Sequence, residues 1–427
     1  MVRILLLMLD LILLHKGDDY MIYFGKITAN ELQYISGYTQ LGQNVYGVAF
    51  NDYEDFIDGG TSTLTSFEGR RFGLAKGFEF EPSTTTYAGK DDFKTNNIAP
   101  FCPIECVTQY NSTTGKQEVV AYETDSNWNS VKNDTSYNRM VAFPKFYYRR
   151  NSEYQFAISP TKVTGCDTPS PMHYRNGKFY DYVYISKYHL NSNYMSVSGS
   201  EFVASTVLST LRTNTRANGM YLMDYPAAMS LAMLMFIKYA NLNVQSVIGL
   251  GLSAKSTVGG ADAVLSKDGR VADEATDTGS TVVFGLEDYW GNAGTLIDGF
   301  FRNSSDTFYI NTDIENITDD PDTSTFTGYT SISNTASTSS GYCQKLVYDS
   351  TYPYMMFPTT IIGSHAKSTS DYYTYYGSVS RCCMIGGYYN QGTKNGPLYL
   401  QAYAQLTSKL AYCGIRGMFF STTYSSP

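Results

Sequence analysis

Cysteines, histidines and clustered carboxylates are the residues that could do bond chemistry in this chain, and none of them stands in a pattern that does so. The seven cysteines, at 102, 106, 166, 343, 382, 383 and 413, are odd in number and irregularly spaced, which does not make a complete disulfide framework. Cys102 and Cys106 lack the second ligand pair that a structural zinc site needs. Cys382 and Cys383 are adjacent, so in a strand their thiols point to opposite faces. His15, His173, His189 and His365 have no Ser/Asp or metal-ligand pattern around them. Asp313, Glu315, Asp319, Asp320 and Asp322 are dense enough in oxygen ligands for Ca²⁺ but match no known loop spacing. A solvated acidic loop is the expectation there, with calcium the alternative. The sequence therefore predicts no catalytic residue, no metal site and no cofactor. An enzyme reading, for example glycan processing, would need paired carboxylates at a suitable separation in a cleft.

What the chain has in excess is tyrosine, 39 in 427 residues, beside 36 glycines and long Ser/Thr/Asn stretches. Exposed tyrosines serve recognition, because each ring offers a large contact area at low rotamer cost and carries a hydroxyl for specificity. The segment 399–406 alternates with period two. Leu400, Ala402, Ala404 and Leu406 are expected to face the core, and Tyr399, Gln401, Tyr403 and Gln405 to face solvent. Just upstream, Tyr388, Tyr389, Asn390 and Gln391 sit on a glycine-bracketed turn, and Tyr412 follows. These nine residues are the predicted ligand-binding set.

Composition narrows the partners. With 31 Lys+Arg against 39 Asp+Glu the net charge is −8, which argues against nucleic acid, whose binding is mostly Lys/Arg electrostatics. Hydrophobic residues make up 43% and charged residues 16%, enough apolar material for packed cores and too little charge for a coiled coil. The apolar run Ile4–Leu14 behind Arg3 has the look of a signal-peptide core, but Asp10 interrupts it and no small-residue cleavage site follows. A mis-assigned start, with Met21 as initiator, is the expectation for residues 1–20, and a signal-like segment is the alternative. The run is too short to span a bilayer, so no membrane partner is expected.

The elements that must position these residues divide at a change of texture. Residues 21–135 alternate short apolar runs with Gly, Asn and Asp turns, as in Val45-Tyr46-Gly47-Val48-Ala49-Phe50, and read as a smaller β-rich domain. Residues 136–427 form a second domain, whose first segments, 140–148 and 154–159, read as paired strands. A further strand is expected at 180–188, and long loops at 249–279. A Ser/Thr-rich insertion is expected near 322–341. The clear helix starts at Asp224 as cap with Pro226 in the first turn, and Met229, Ala232, Met233, Phe236 and Ala240 lie on one apolar stripe. Trp290 and Asn292 read as a buried ring and turn that pin a loop, and Gly386 and Gly387 as positions of tight backbone geometry. Arg416 reads as a buried guanidinium holding carbonyls or a carboxylate such as Asp298 or Glu287. The fold class expected is α+β.

An ordered series of short motifs carries a family resemblance. It runs Phe143-Pro144-Lys145-Phe146-Tyr147-Tyr148, Ile158-Ser159-Pro160-Thr161-Lys162-Val163, Leu222-Met223-Asp224-Tyr225 and Val247-Ile248-Gly249. It continues through Gly285-Leu286-Glu287-Asp288-Tyr289-Trp290-Gly291-Asn292, Ile297-Asp298-Gly299, Ile385-Gly386-Gly387-Tyr388 and Cys413-Gly414-Ile415-Arg416. This resembles the C-type-lectin-like fold in its formylglycine-generating-enzyme-related form, found in phage tail fibre and receptor-binding proteins and in the variable proteins of diversity-generating retroelements. The resemblance covers about residues 138–420 and leaves the first third unassigned. It implies a C-type-lectin-like C-terminal domain whose binding face falls at 388–391 and 399–412, preceded by the smaller β-rich domain as an attachment unit.

The same resemblance implies a virion protein of the tail tip or fibre that binds a host cell-surface protein or glycan. It implies contact with other tail proteins and a homo-oligomer, with a trimer expected. A bacterial surface-displayed variable protein of the same fold is the alternative. Retroelement diversification of 381–416 is the further implication. Adenine-directed mutagenesis of Asn codons yields Tyr, Ser and Asp but not Gln, so Gln391, Gln401 and Gln405 need other template codons. The oxidase chemistry of the formylglycine-generating relatives needs two cysteines a few residues apart, which adjacent Cys382 and Cys383 do not provide.

Overall fold

Among the described residues two helices of ten residues or more, α1 (Leu208–Ala217) and α2 (Tyr225–Tyr239), lie among strands that make up most of the regular structure. The structure is a computed structural model that describes residues 11–16, 19–24, 44–50, 68–82, 88–152, 154–253, 280–317, 328–332, 336–362, 365, 369, 371–377 and 379–426. Most of the apolar run, Ile4–Asp10, lies outside the described residues; Leu11–Lys16 pairs with Asp19–Phe24 as a hairpin. Asp319, Asp320, Asp322 and the segment 254–279 also lie outside them.

Helix α2 begins where the sequence places it. The Asp224 carboxylate accepts from the Ala227 N–H at 3.0 Å, and Pro226 occupies the first turn, where its missing N–H costs nothing. Ala240 closes the helix in the left-handed region, at φ 49°. The expected single stripe is a correction, because every residue from Tyr225 to Tyr239 is buried. Leu231, Leu234, Met235 and Ile237 make the remaining faces apolar too, and a helix that is apolar all round is buried all round.

The predicted domain boundary near 135 is also corrected. Tyr46–Ala49 lies between Arg70–Gly73 and Gln155–Ser159, and Ile104–Asn111 lies between Lys116–Tyr122 and Asn138–Pro144. Strands from both sides of the boundary thus share two sheets, and their backbone hydrogen bonds cross it. The single α+β description gives way to a mostly β molecule around α2.

The largest sheet, of nine strands, carries the C-terminal residues. Its relevant strands are β1 (Gly294–Arg302), β2 (Gly341–Leu346), β3 (Tyr372–Tyr375), β4 (Arg381–Gly386) and β5 (Gly396–Ala402). Strand β4 pairs antiparallel with β1 and β5, β5 pairs parallel with β3, and β3 pairs antiparallel with β2. One face packs Leu398, Leu400, Ala402, Cys383, Ile385 and Tyr373 against the α2 core. The other packs Tyr399, Cys382 and Met384 into a second core with Cys413 and Ile415. Part of the expected Ser/Thr-rich insertion joins this sheet, since Thr330–Ser331 pairs with Tyr309 and Ile310; residues 322–327 and 333–335 lie outside the described residues.

Buried charge ties the layers together. Arg212 of α1 grips Asp298 of β1 through Nε (2.8 Å) and Nη2 (2.7 Å), and Arg175 grips Asp224 at 2.9 and 3.0 Å. Arg416 is fully buried and donates to the carbonyls of Ser186 (3.0 Å), Lys187 (2.8 Å) and Glu287. Its expected alternative partner, the Asp298 carboxylate, is held by Arg212 instead. Burial lowers the Arg416 guanidinium to about 10, which leaves it charged at neutral pH. Trp290 is fully buried, with its indole N–H on the Gly249 carbonyl at 3.0 Å, and Asn292 donates to Asp288 at 3.2 Å.

Candidate binding surface

The predicted turn is built by glycine. Gly386 and Gly387 have φ of 89° and 72°, and a Cβ at Gly387 would lie 1.8 Å from Asn395 Oδ1. The chain can therefore fold back tightly after β4, and the turn it makes carries Tyr388, Tyr389, Asn390 and Gln391. Asn390 is exposed and the other three are half-buried. Tyr389 N–H donates to the Asn292 carbonyl at 3.2 Å, and Gln391 donates to Asn390 at 2.8 Å.

Tyr388 stacks on Tyr412 with ring centroids 4.3 Å apart and planes 29° apart, and meets Tyr389 at 5.9 Å. Burial raises the Tyr388 hydroxyl above its ordinary range, opposed by a hydrogen bond from Gln401. Tyr412 is raised as well, by burial first and then by Cys413 and Tyr388. Both hydroxyls thus stay neutral and able to donate as well as accept. Tyr403 is near enough to act on both electrostatically.

The period-two reading of 399–406 is half corrected. Sides do alternate along β5, with Leu400 and Ala402 in the α2 core and Tyr399 in the other. The face expected to meet solvent is nevertheless covered, so Tyr399 is 0% exposed and Gln401 5%. The reason is topological: β5 is an inner strand between β3 and β4, and the chain that leaves it returns over its second face. Ala404, Leu406, Leu410 and Tyr412 of that returning segment pack on the core that holds Tyr399. Tyr399 Oη meets Thr374 Oγ1 at 3.2 Å instead of water. The strand ends at Ala402, so the alternation also loses phase there: Ala404 joins the Tyr399 side, while Tyr403 and Gln405 are exposed.

Sequence reasoning missed Tyr376 and Arg381. Tyr376 is 53% exposed and meets Tyr403 edge to face at 5.0 Å, with the Arg381 guanidinium 4.9 Å from its ring centre. Arg381 donates to the Tyr403 carbonyl at 2.7 Å and so holds the backbone of one ring beneath the other. The run Tyr372-Tyr373-Thr374-Tyr375-Tyr376 was a legible signal for it. The surface consequently comprises Tyr376, Tyr388, Tyr389, Asn390, Gln391, Tyr403, Gln405 and Tyr412, with Tyr399 and Gln401 as its buried support.

The chemistry-bearing groups sit elsewhere, in apolar surroundings. Cys382 and Cys383 join opposite cores, and burial pushes the Cys382 thiol up to about 12. Cys413 stays a free thiol against Met384. His173 is bracketed by Ser170 Oγ (2.6 Å) and the Phe143 carbonyl (2.9 Å), and His189 meets Thr295 Oγ1 at 2.9 Å. Among the described residues no group of three or more His, Cys, Asp and Glu is placed to hold a metal ion, and no helix is long and apolar enough to cross a membrane.

No family model and no curated protein matches the chain. Among solved structures it is similar to the Major Tropism Determinant U1 variant, at a TM-score of 0.28 and 12% identity over 75% of this chain and 72% of that one. The P3c variant gives a TM-score of 0.28 and 13% identity over 74% and 72%. Likeness at this level carries no argument about function.

Proposed function

We propose that the chain is a receptor-binding protein of a phage tail that grips a host cell-surface protein or glycan through its C-terminal tyrosine surface, without chemistry of its own. The observation that carries this reading is the two groups of partly exposed rings, Tyr376 with Tyr403 and Tyr388 with Tyr389 and Tyr412, standing on an inner-strand scaffold. Rigid rings with neutral hydroxyls bind at low entropic cost, because their rotamers are already restrained by stacking. The resemblance of the motif series to C-type-lectin-like proteins, which implies a binding face at 388–391 and 399–412, supports the same reading. The buried, raised thiols and the neutral core histidines support a binding role over catalysis.

In this reading the protein works at the tail tip as a homo-oligomer, a trimer, joined to other tail proteins, so that several weak sites add through avidity. Retroelement diversification of 381–416 belongs to the same proposal. It is consistent with exposed Asn390 and Tyr403 and half-buried Tyr389, and it is least suited to Tyr399 and Gln401, where substitution disturbs a core. The test is adsorption: purified protein is measured on host cells beside a Tyr376→Ala/Tyr403→Ala double variant. Loss of binding with an unchanged melting temperature supports the surface, and unchanged adsorption rejects it.

A further inference from the structure

A second concavity, of about 600 Å³, shares no lining residue with the tyrosine surface and does not depend on that reading. Its floor is built from Glu105, Arg139, Lys187 and Glu287. The Lys187 side chain is 1% exposed; its Nζ bonds Glu105 Oε1 and lies 3.7 Å from Glu287 Oε1. Arg139 Nη2 donates to Glu105 Oε2 at 2.6 Å, and its Nη1 to the Lys132 carbonyl at 2.6 Å. Backbone bonds fix these groups side by side: Lys187 N–H to the Arg139 carbonyl and Glu287 N–H to the Lys187 carbonyl, each at 3.0 Å. The floor is therefore rigid before any ligand arrives.

Charge and shape select the ligand class. Around the lining, Lys132, Arg139 and Lys187 face Glu105, Glu123, Asp134 and Glu287, a net charge of −1 that disfavours a phosphate or other anion. Glu105 is engaged by Lys187 and Arg139, Glu123 accepts from the Glu105 N–H at 3.2 Å and Asp134 from the Ser136 hydroxyl at 2.7 Å, so a bare cation would have to displace partners that are already in place. The walls add Trp128, which stands 4.9 Å over the Arg139 guanidinium, and the half-buried ring of Tyr137. A volume of about 600 Å³ lies within the ordinary range for small-ligand sites. Fixed donors and acceptors in alternation suit hydroxyl groups, each of which both donates and accepts, and aromatic walls suit the apolar C–H face of a sugar ring.

We propose that this cavity is a binding site for a neutral saccharide. The test uses the full chain and the probes D-glucose, D-galactose, D-mannose, N-acetyl-D-glucosamine and lactose, read by saturation-transfer difference NMR, with tryptophan fluorescence of the wild-type chain as a second readout. Binding of at least one probe is expected, weakened at least ~10-fold by Trp128→Ala and by Thr135→Trp, which sets a bulky ring at an exposed lining position. The double variant Tyr376→Ala/Tyr403→Ala should leave that binding unchanged, which separates this site from the tyrosine surface. The proposal is overturned by any of these results: no probe binds the wild-type chain; binding survives both cavity variants; binding is lost with the tyrosine pair instead; or L-alanine or acetate binds more tightly than every sugar.

Discussion

Tyr376 and Tyr403 meet edge to face at 5.0 Å, one 53% and the other 37% exposed, while Arg381 packs against the first ring and holds the backbone of the second. Tyr399, four positions before Tyr403, is wholly buried. Truncating these rings should therefore have opposite consequences. Tyr376→Ala with Tyr403→Ala should abolish host adsorption and change stability by less than about 1 kcal/mol, as surface substitutions do. Tyr399→Ala should cost about 3–5 kcal/mol through the cavity it leaves, and its effect on adsorption should follow the fraction unfolded. Urea denaturation beside adsorption at one temperature separates the two.

The Arg212–Asp298 pair joins α1 to β1 with both side chains 2% exposed. Removing one partner strands a buried charge, so Arg212→Ala and Asp298→Ala should each cost about 3–5 kcal/mol. The double variant should cost less than the sum, because the second removal relieves the stranded charge. A double-mutant cycle by urea unfolding measures this; additive losses would mean the pair does not act as a unit.

Gly387 and Gly392 both have positive φ, at 72° and 54°, but only Gly387 is crowded. Gly392→Ala should cost about 1 kcal/mol of conformational strain, since nothing lies near its Cβ. Gly387→Ala adds a clash with Asn395 and should cost about 1–3 kcal/mol more. Melting temperatures of the two variants decide it, and equal losses would remove the steric account of this turn.

Burial depresses the His173 imidazole from 6.5 to about 3. Its folded form binds a proton less readily than the unfolded chain, so protonation favours unfolding. The contribution is complete above about pH 6.5, declines as pH falls from there, and is gone below about pH 3. Each depressed unit is about 1.4 kcal/mol, so the loss amounts to several kcal/mol. Urea midpoints from pH 7 to 4 should fall, and more shallowly in His173→Gln. A His173→Gln slope as steep as the wild type would assign the acid sensitivity to other groups, with buried His189 the first to test.

The start of α2 was legible because capping is local: Asp224, Pro226 and the apolar run sit within a few residues of each other. Its burial on all faces follows from the same run, in which Leu231, Leu234, Met235 and Ile237 fill the faces beside the Met229–Phe236 stripe. The sharing of sheets across residue 135 was not legible, because strand pairing joins segments such as Tyr46–Ala49 and Gln155–Ser159 that lie far apart in sequence. The floor of the polar cavity was hidden for the same reason, since Glu105, Arg139, Lys187 and Glu287 come from four separate segments.

The amino-acid order alone determined which side of β5 each residue takes, because alternation is a property of the extended backbone. It also determined that Tyr388, Tyr389, Asn390 and Gln391 fall together on a glycine-bracketed turn. Whether a side meets water was decided only in three dimensions. There, β3 and β4 flank β5, and the segment from Tyr403 to Cys413 turns back over Tyr399 and leaves Tyr403 outside. Exposure depends on which distant parts of the chain arrive to cover a face, and that is an outcome of packing the whole molecule.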